Sequence, residues 1–324
     1  MTLPSDALTG GLAFHRLVFA RRRSGWWTPL ATGLLALAFY LAFQVVVVVA
    51  TVLAAFADPG ILDRFQAMAL APTFDLTDPF LVSFLLGVIA LMLPAYVLAS
   101  LIVNGRRVGL ISSAAGRLRW RWMLLCAAAA AVIAVVLTGL SLLFPAEGTP
   151  LAPRENPLWA VTLVIVLLLV PLQSAAEEYI FRGYLMQTIG RWLRHPAFAI
   201  LLPVPLFVVG HLYDVYGQVG VALFAVAAGW LTWRTGGLEA AIALHVVNNL
   251  VGFLSGLASG ADPTATDQGP LSMLWSVVLI GGYVAVVEVL FRRSRMPRTL
   301  VLTLPAPSPF DQTSPVQIPA GRQR

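Results

Sequence analysis

Long apolar runs, interrupted at fairly regular intervals by arginines or by aspartates and glutamates, dominate the pattern of the chain. Eight of them reach or approach the roughly 20 residues that a helix needs to cross about 30 Å of hydrocarbon. They are 30–57, 81–103, 122–144, 158–187, 197–213, 219–233, 238–258 and 271–291. The expected fold class is all-α, a polytopic helical membrane protein of about eight spans, since a helix satisfies its backbone polar groups without water. The sixth run, at roughly 15 residues, is short for a span and predicts tilt or partial insertion.

The charges between the runs alternate. Arg21 to Arg23, Arg106 to Arg121, Arg191 with Arg194, Arg234, and Arg292 to Arg298 fall on one side. Asp58, Asp63, Asp75, Asp78, Glu147, Glu155, Asp214, Asp262 and Asp267 fall on the other, where Arg64 and Arg154 are the cations. By the positive-inside rule this predicts an N-in, C-in topology in the inner (plasma) membrane. The organisation read from it is a cytoplasmic N-terminal segment 1–29, a membrane domain 30–291 and a tail 292–324. The tail, with Pro305, Pro307, Pro309, Pro315 and Pro319, is expected to be disordered. Arg16 and Arg21 to Arg23 precede a first apolar run of about 28 residues, too long for a signal-peptide core, which predicts a retained first helix.

Composition agrees with this picture. The 324 residues are 59% hydrophobic and 11% charged, and the mean hydropathy is +0.83, so the lipid bilayer is the expected partner. The net charge of +6 rests on 21 basic residues, all arginine, grouped as orientation signals; nucleic-acid binding is not expected. Lysine-free usage points to a GC-rich bacterial source. The single cysteine, Cys126, excludes an intrachain disulfide and a cysteine metal cage. The run it opens, Cys126 to Val132, reads as an alanine-rich packing surface.

Ionisable groups inside the membrane are expensive, so each must be paired, wet or chemical. Gln173, Glu177, Glu178 and Arg182 fall in the fourth run, His211 near the end of the fifth, and His245, Asn248 and Asn249 in the seventh. Glu178 and Arg182 are four apart and predict an ion pair on one helix face. Glu177 is turned about 100° away and lacks such a partner on its own helix. Glu177 precedes Arg194 by 17 residues and His211 follows it by 17, so antiparallel helices would bring the two to equal depth. Pro171, Pro203 and Pro205 must bend or break these helices, and the carbonyls freed near Pro203 suggest water beside His211. His245 and Asn249 share a face, while Asn248 reads as interhelical packing. Glu288 with Arg292 reads as a local pair, and His15 and His195 as solvated at the membrane edge.

Glu-Glu-x-x-x-Arg at Glu177, Glu178 and Arg182, Phe-x-x-x-His at Phe207 and His211, and His-x-x-x-Asn at His245 and Asn249 occur in order on separate helices. Together they resemble the CAAX prenyl protease and bacteriocin-processing (CPBP, Abi) family of intramembrane endopeptidases, over 158–258. The resemblance implies that Glu177 and His211 activate water for attack on a peptide carbonyl. It implies that His245 and Asn249 stabilise the oxyanion, with Glu178, Arg182 and Phe207 in support. A peptide or membrane-protein substrate follows, a bacteriocin-like peptide or small membrane protein in the first place.

Two schemes stay open at this level. Water is activated without metal, or zinc sits on Glu177, His211 and His245, although the His-Glu-x-x-His helix signature of a metallopeptidase is absent. Two functions compete with proteolysis: a non-enzymatic immunity or regulatory scaffold, and a proton-coupled transporter. No inverted repeat in the sequence favours the transporter.

Overall fold

The computed structural model describes residues 4, 7–70, 75–141, 143, 156–260, 262–263, 265 and 268–302, leaving aside the side chain of Arg106. Expectations for Glu147, Arg154, Glu155, Asp267 and the tail beyond Leu302 lie outside the described residues.

Helices make up nearly all of it. In chain order they are α1 (Thr28–Ala57), α2 (Gly60–Leu70), α3 (Pro79–Ala90), α4 (Met92–Asn104), α5 (Trp120–Ser141), α6 (Trp159–Glu178), α7 (Met186–Trp192), α8 (Pro196–Leu201), α9 (Val204–Val209), α10 (Val215–Thr235), α11 (Glu239–Ser259) and α12 (Gly269–Ser294). A π-helical stretch, Tyr179–Leu185, joins α6 to α7, so that Trp159–Trp192 forms one long apolar rod. The protein is a multi-pass helical membrane protein.

Among the described residues seven helices are long and apolar enough to cross a bilayer, not eight. The difference lies in the fifth run. Pro203 lacks an N–H and Pro205 follows it, so the helix breaks into α8 and α9, 196–209 in all, too short to count as a full span. The chain still changes ends there. Before the break, the Arg194 carbonyl meets His15 Nε2 at 3.0 Å; after it, Asp214 Oδ2 accepts from the Gly269 amide at 3.3 Å, at the start of α12. The sixth run is the opposite case. Asp214 caps it by accepting from Gly217, and it grows into the 21-residue α10, so the expectation of a partial insertion is corrected.

The arginine-rich connections meet at one end of the bundle. The Ala114 amide donates to the Gly236 carbonyl at 2.8 Å, and the Leu238 amide to the Ser112 carbonyl at 2.9 Å. A two-stranded antiparallel pair, β1 (Leu12–Ala13) with β2 (Thr299–Leu300), ties the N-terminal segment to the chain after α12. Residues 292–302 are therefore not part of a disordered tail: α12 runs on to Ser294 and β2 finds a backbone partner. His15 is 3% exposed rather than solvated, because Phe14–Ala20 packs against α7. A Cβ at Gly190 would stand 1.9 Å from the His15 carbonyl, so only glycine permits that approach. His195, by contrast, is exposed as expected and accepts from the Ala197 amide.

Two ion-pair clusters brace the arginine end. Arg119 donates through Nε and Nη2 to the buried Glu239 carboxylate at 2.9 and 2.6 Å, joining the start of α5 to the start of α11 across 120 residues. Glu288 pairs with Arg292 as its spacing suggested, and also with Arg234 of α10 at 2.8 Å. At the far end Arg64 lies between Asp58 and Asp78. The alanine-rich face of α5, with Cys126, Ala130 and Ala134 buried, packs on Ala240, Ala243 and Leu244 of α11 as a small-residue helix contact.

Candidate active site

The site begins with α6. Pro171 lies inside it, and the turn that follows carries Gln173, Ser174, Glu177 and Glu178, all buried. Past Glu178 the helix widens into the π-helical stretch containing Arg182; single π turns are frequent at functional sites. The expected Glu178–Arg182 pair forms across this junction, Nη1 donating to Oε1 at 2.8 Å, with both side chains almost fully buried. Arg182 also donates to the Ala225 carbonyl of α10 at 3.1 Å and lies 4.7 Å from the Phe207 ring centroid. Phe207 thus lines the guanidinium's pocket.

From α11, His245 comes to the same carboxylate. Its Nδ1 is 2.8 Å from Glu178 Oε1. A carboxylate paired with Arg182 is ionised and can only accept, so Nδ1 carries the proton and a neutral imidazole keeps its lone pair on Nε2. That Nε2 is 3.7 Å from Glu177 Oε2, an oxygen that is buried and has no hydrogen-bond partner among the described residues. Phe224 and Phe207 close around the imidazole, at 5.0 and 6.2 Å between ring centroids. Two lone pairs thus face one another in an apolar pocket, which is the place for a water donating to both.

The other Glu177 oxygen, Oε1, accepts from Gln173 Nε2. Gln173 Oε1 in turn accepts from Asn249 Nδ2 at 3.2 Å, and Ser174 Oγ is 3.5 Å from the same nitrogen. Glu177 therefore does have a polar partner on its own helix, Gln173, at the same four-residue spacing that paired Glu178 with Arg182. Asn248 is exposed and donates to Asn249 Oδ1 at 3.3 Å.

Residue by residue, Glu177, Glu178, Arg182, His245, Asn249 and Phe207 are brought into one network. His211 lies at its edge. The residue follows α9, with its Nδ1 hydrogen-bonded to the Phe207 carbonyl at 2.8 Å and its ring 4.7 Å from the Phe207 ring. It makes no hydrogen bond with Glu177; the imidazole beside Glu177 is that of His245. The connection holding His211 nonetheless feels the carboxylate. Tyr213 has its hydroxyl held above the ordinary range, first by burial and then by Asp262 and Glu177. Gln173, Ser174, Phe224 and Tyr213 are the members that motif spacing did not single out for a role.

A zinc on Glu177, His211 and His245 does not fit this arrangement. Among the described residues no three His, Cys, Asp or Glu side chains gather as a metal site. His245 Nδ1 is bonded to Glu178 and His211 Nδ1 to the Phe207 carbonyl, so both rings would have to offer Nε2, and His211 is not joined to Glu177 as such a site requires. No step below passes through a metal.

The known proteins similar to this chain meet it at the same segment. Residues 156–251 match the family described as Rce1-like, type II CAAX prenyl endopeptidase. The uncharacterized protein YyaK of Bacillus subtilis (strain 168) is 34% identical over 95 residues, 27% of this chain and 32% of its own length. The chain thus spans about a third of that curated relative. No solved structure matches. The matched segment contains every member of the network around Glu177, and it is over this segment that the multi-pass membrane protein is similar to the Rce1-like, type II CAAX prenyl endopeptidase family.

Proposed function

We propose that the protein is an intramembrane endopeptidase in which Glu177 and His245 together activate a water. The observation that carries this reading is the 3.7 Å approach of Glu177 Oε2, a buried oxygen without a hydrogen-bond partner among the described residues, to His245 Nε2, the ring nitrogen that the Glu178 bond leaves free. A water about 2.8 Å from each, lying off the line between them, donates one proton to each acceptor and turns a lone pair outward. Attack on the carbonyl carbon of a peptide forms the C–O bond while the water's proton passes to the Glu177–His245 pair. Collapse of the tetrahedral intermediate breaks the C–N bond, and the same pair returns a proton to the leaving nitrogen. The products are a carboxylate and an amine.

In this reading Glu178 fixes the tautomer and tilt of His245, and Arg182 keeps Glu178 ionised. Asn249 retains a second Nδ2 proton for the oxyanion, and His211, with Nδ1 held by Phe207, turns Nε2 to the edge of the pocket. The family match supports a peptidase of CAAX type, and the apolar surroundings favour a substrate that is itself membrane-associated. A bacteriocin-like peptide or small membrane protein is the proposed client, and the inner membrane the proposed location.

The test is a comparison of new peptide termini in membranes from cells carrying wild-type protein or Glu177→Gln. Termini that vanish with Glu177→Gln, and reappear when purified wild-type protein is added back, support proteolysis. Identical terminal profiles, with the variant folded and equally abundant, would make the protein a scaffold of the same fold.

A further inference from the structure

We infer that Gln173 is a positioning residue of this site, its side-chain amide setting the orientation of both Glu177 and Asn249. The amide stands between two helices and bonds with both ends: Nε2 donates to Glu177 Oε1, and Oε1 accepts from Asn249 Nδ2 at 3.2 Å. Gln173 is 5% exposed, and Ser174 Oγ donates to the same Gln173 oxygen at 3.4 Å. The polarity of the amide is determined. Turned over, it would set its carbonyl oxygen against the Glu177 carboxylate and its NH2 against that of Asn249, losing both bonds.

Two consequences follow for the chemistry. With Oε1 of Glu177 engaged, Oε2 is the oxygen left to face His245 Nε2, so the carboxylate is presented by one edge rather than free to rotate about its last torsion. With one Nδ2 proton of Asn249 directed at Gln173, the carboxamide plane is set and the second proton points in one direction. Gln173 thereby couples two residues 72 positions apart, Glu177 on α6 and Asn249 on α11. A misplacement of about 1 Å in such a group can reduce turnover on the order of 10²-fold. The kinetic part of this inference rests on the peptidase reading; the hydrogen-bonded arrangement does not.

The experiment therefore has two arms on full-length protein in detergent. In the first, turnover of an internally quenched peptide bearing a prenylated cysteine, the reporter suggested by the family match, is measured for wild type, Gln173→Met and Gln173→Asn. Methionine keeps the volume without the polar atoms; asparagine keeps the amide but is one methylene too short to reach both partners. Both variants are expected to lower kcat by about 10- to 100-fold with KM within about threefold. Asn249→Ala is expected to be less damaging in the Gln173→Met background than in wild type, as coupled neighbours are.

The second arm is infrared spectroscopy of protein labelled with 13C at glutamate carboxyls, the Glu177 band being assigned by subtraction of Glu177→Gln. Loss of the Gln173 donor should move that band in Gln173→Met. A band that does not move overturns the inference whatever the kinetics, and a moved band with kcat within twofold of wild type overturns it as well. Absence of turnover in wild type rules out this reporter as a substrate, the peptidase reading being decided by the comparison of peptide termini, and the infrared band then decides the positioning alone.

Discussion

Glu178 and His245, 67 residues apart, are joined by a 2.8 Å hydrogen bond between the carboxylate Oε1 and the imidazole Nδ1. That oxygen also accepts from Arg182, so one buried acceptor holds a cation and orients a ring. Glu178→Gln should therefore harm two properties together. Leaving Arg182 without a counter-charge in a buried site costs about 3 to 5 kcal/mol, and a glutamine that turns its NH2 toward His245 favours the wrong tautomer. The expected result is a lower midpoint of thermal unfolding and a lower kcat per folded molecule. Glu177→Gln should leave the midpoint near wild type and abolish turnover. Scanning fluorimetry beside reporter cleavage separates the two.

Arg119 and Glu239 form the other deeply placed pair. Glu239 is fully buried and receives Arg119 through Nε, Nη2 and the backbone amide, while Arg119 Nη1 reaches the Thr235 carbonyl. Glu239→Gln should destabilise the protein by about 3 to 5 kcal/mol without changing kcat for the molecules that stay folded. Unfolding monitored in detergent with increasing denaturant checks this, and a loss of kcat at full folding would mean that the brace reaches the site.

Asp214 caps α10, and the amides of Gly217 first, then of Gly269, Gln268 and Tyr216, hold its carboxyl below the ordinary range. A depressed folded pKa stabilises above the unfolded value of about 3.9, and the contribution is lost as pH falls through the lower, folded value. Stability should thus decline below about pH 4 in wild type. Asp214→Asn, which keeps an acceptor but does not titrate, should start lower at neutral pH and lose less on acidification. Thermal midpoints from pH 3 to 7 give the comparison.

The two ends of the bundle predict opposite accessibility. With Cys126 replaced by serine, a cysteine at exposed His195 should react with a membrane-impermeant maleimide from the cytoplasmic side, and one at exposed Asp58 from the other. Reaction of both from one side would refute the assignment of the arginine end to the cytoplasm.

Metal content provides a separate check on the chemistry. Purified active protein should keep its turnover in excess chelator and carry zinc well below one equivalent. Stoichiometric zinc that is lost in His211→Ala and in Glu177→Gln would require His211 to move into the pocket, and the water would then be activated by metal.

Composition and periodicity by themselves determined a helical membrane protein, its approximate spans and the alternation of its ends, because bilayer thickness and loop charge act on the chain locally. The spacing of four between Glu178 and Arg182 likewise announced their pair, since a helix turn is local geometry. Three features were decided only by tertiary structure. Proline at 203 and 205 said that the fifth run would bend, but whether it still spanned depended on what packed against α8 and α9. Equal distance from Arg194 suggested that Glu177 would meet His211, yet the break shortened one arm and His245 took that position from α11. Glu239, Gln173 and the strand pair at Leu12 and Leu300 find partners up to 288 residues away, and no local signal names such a partner. Their chemistry is written in the residue types, while the partner is chosen by the packing of helices around them.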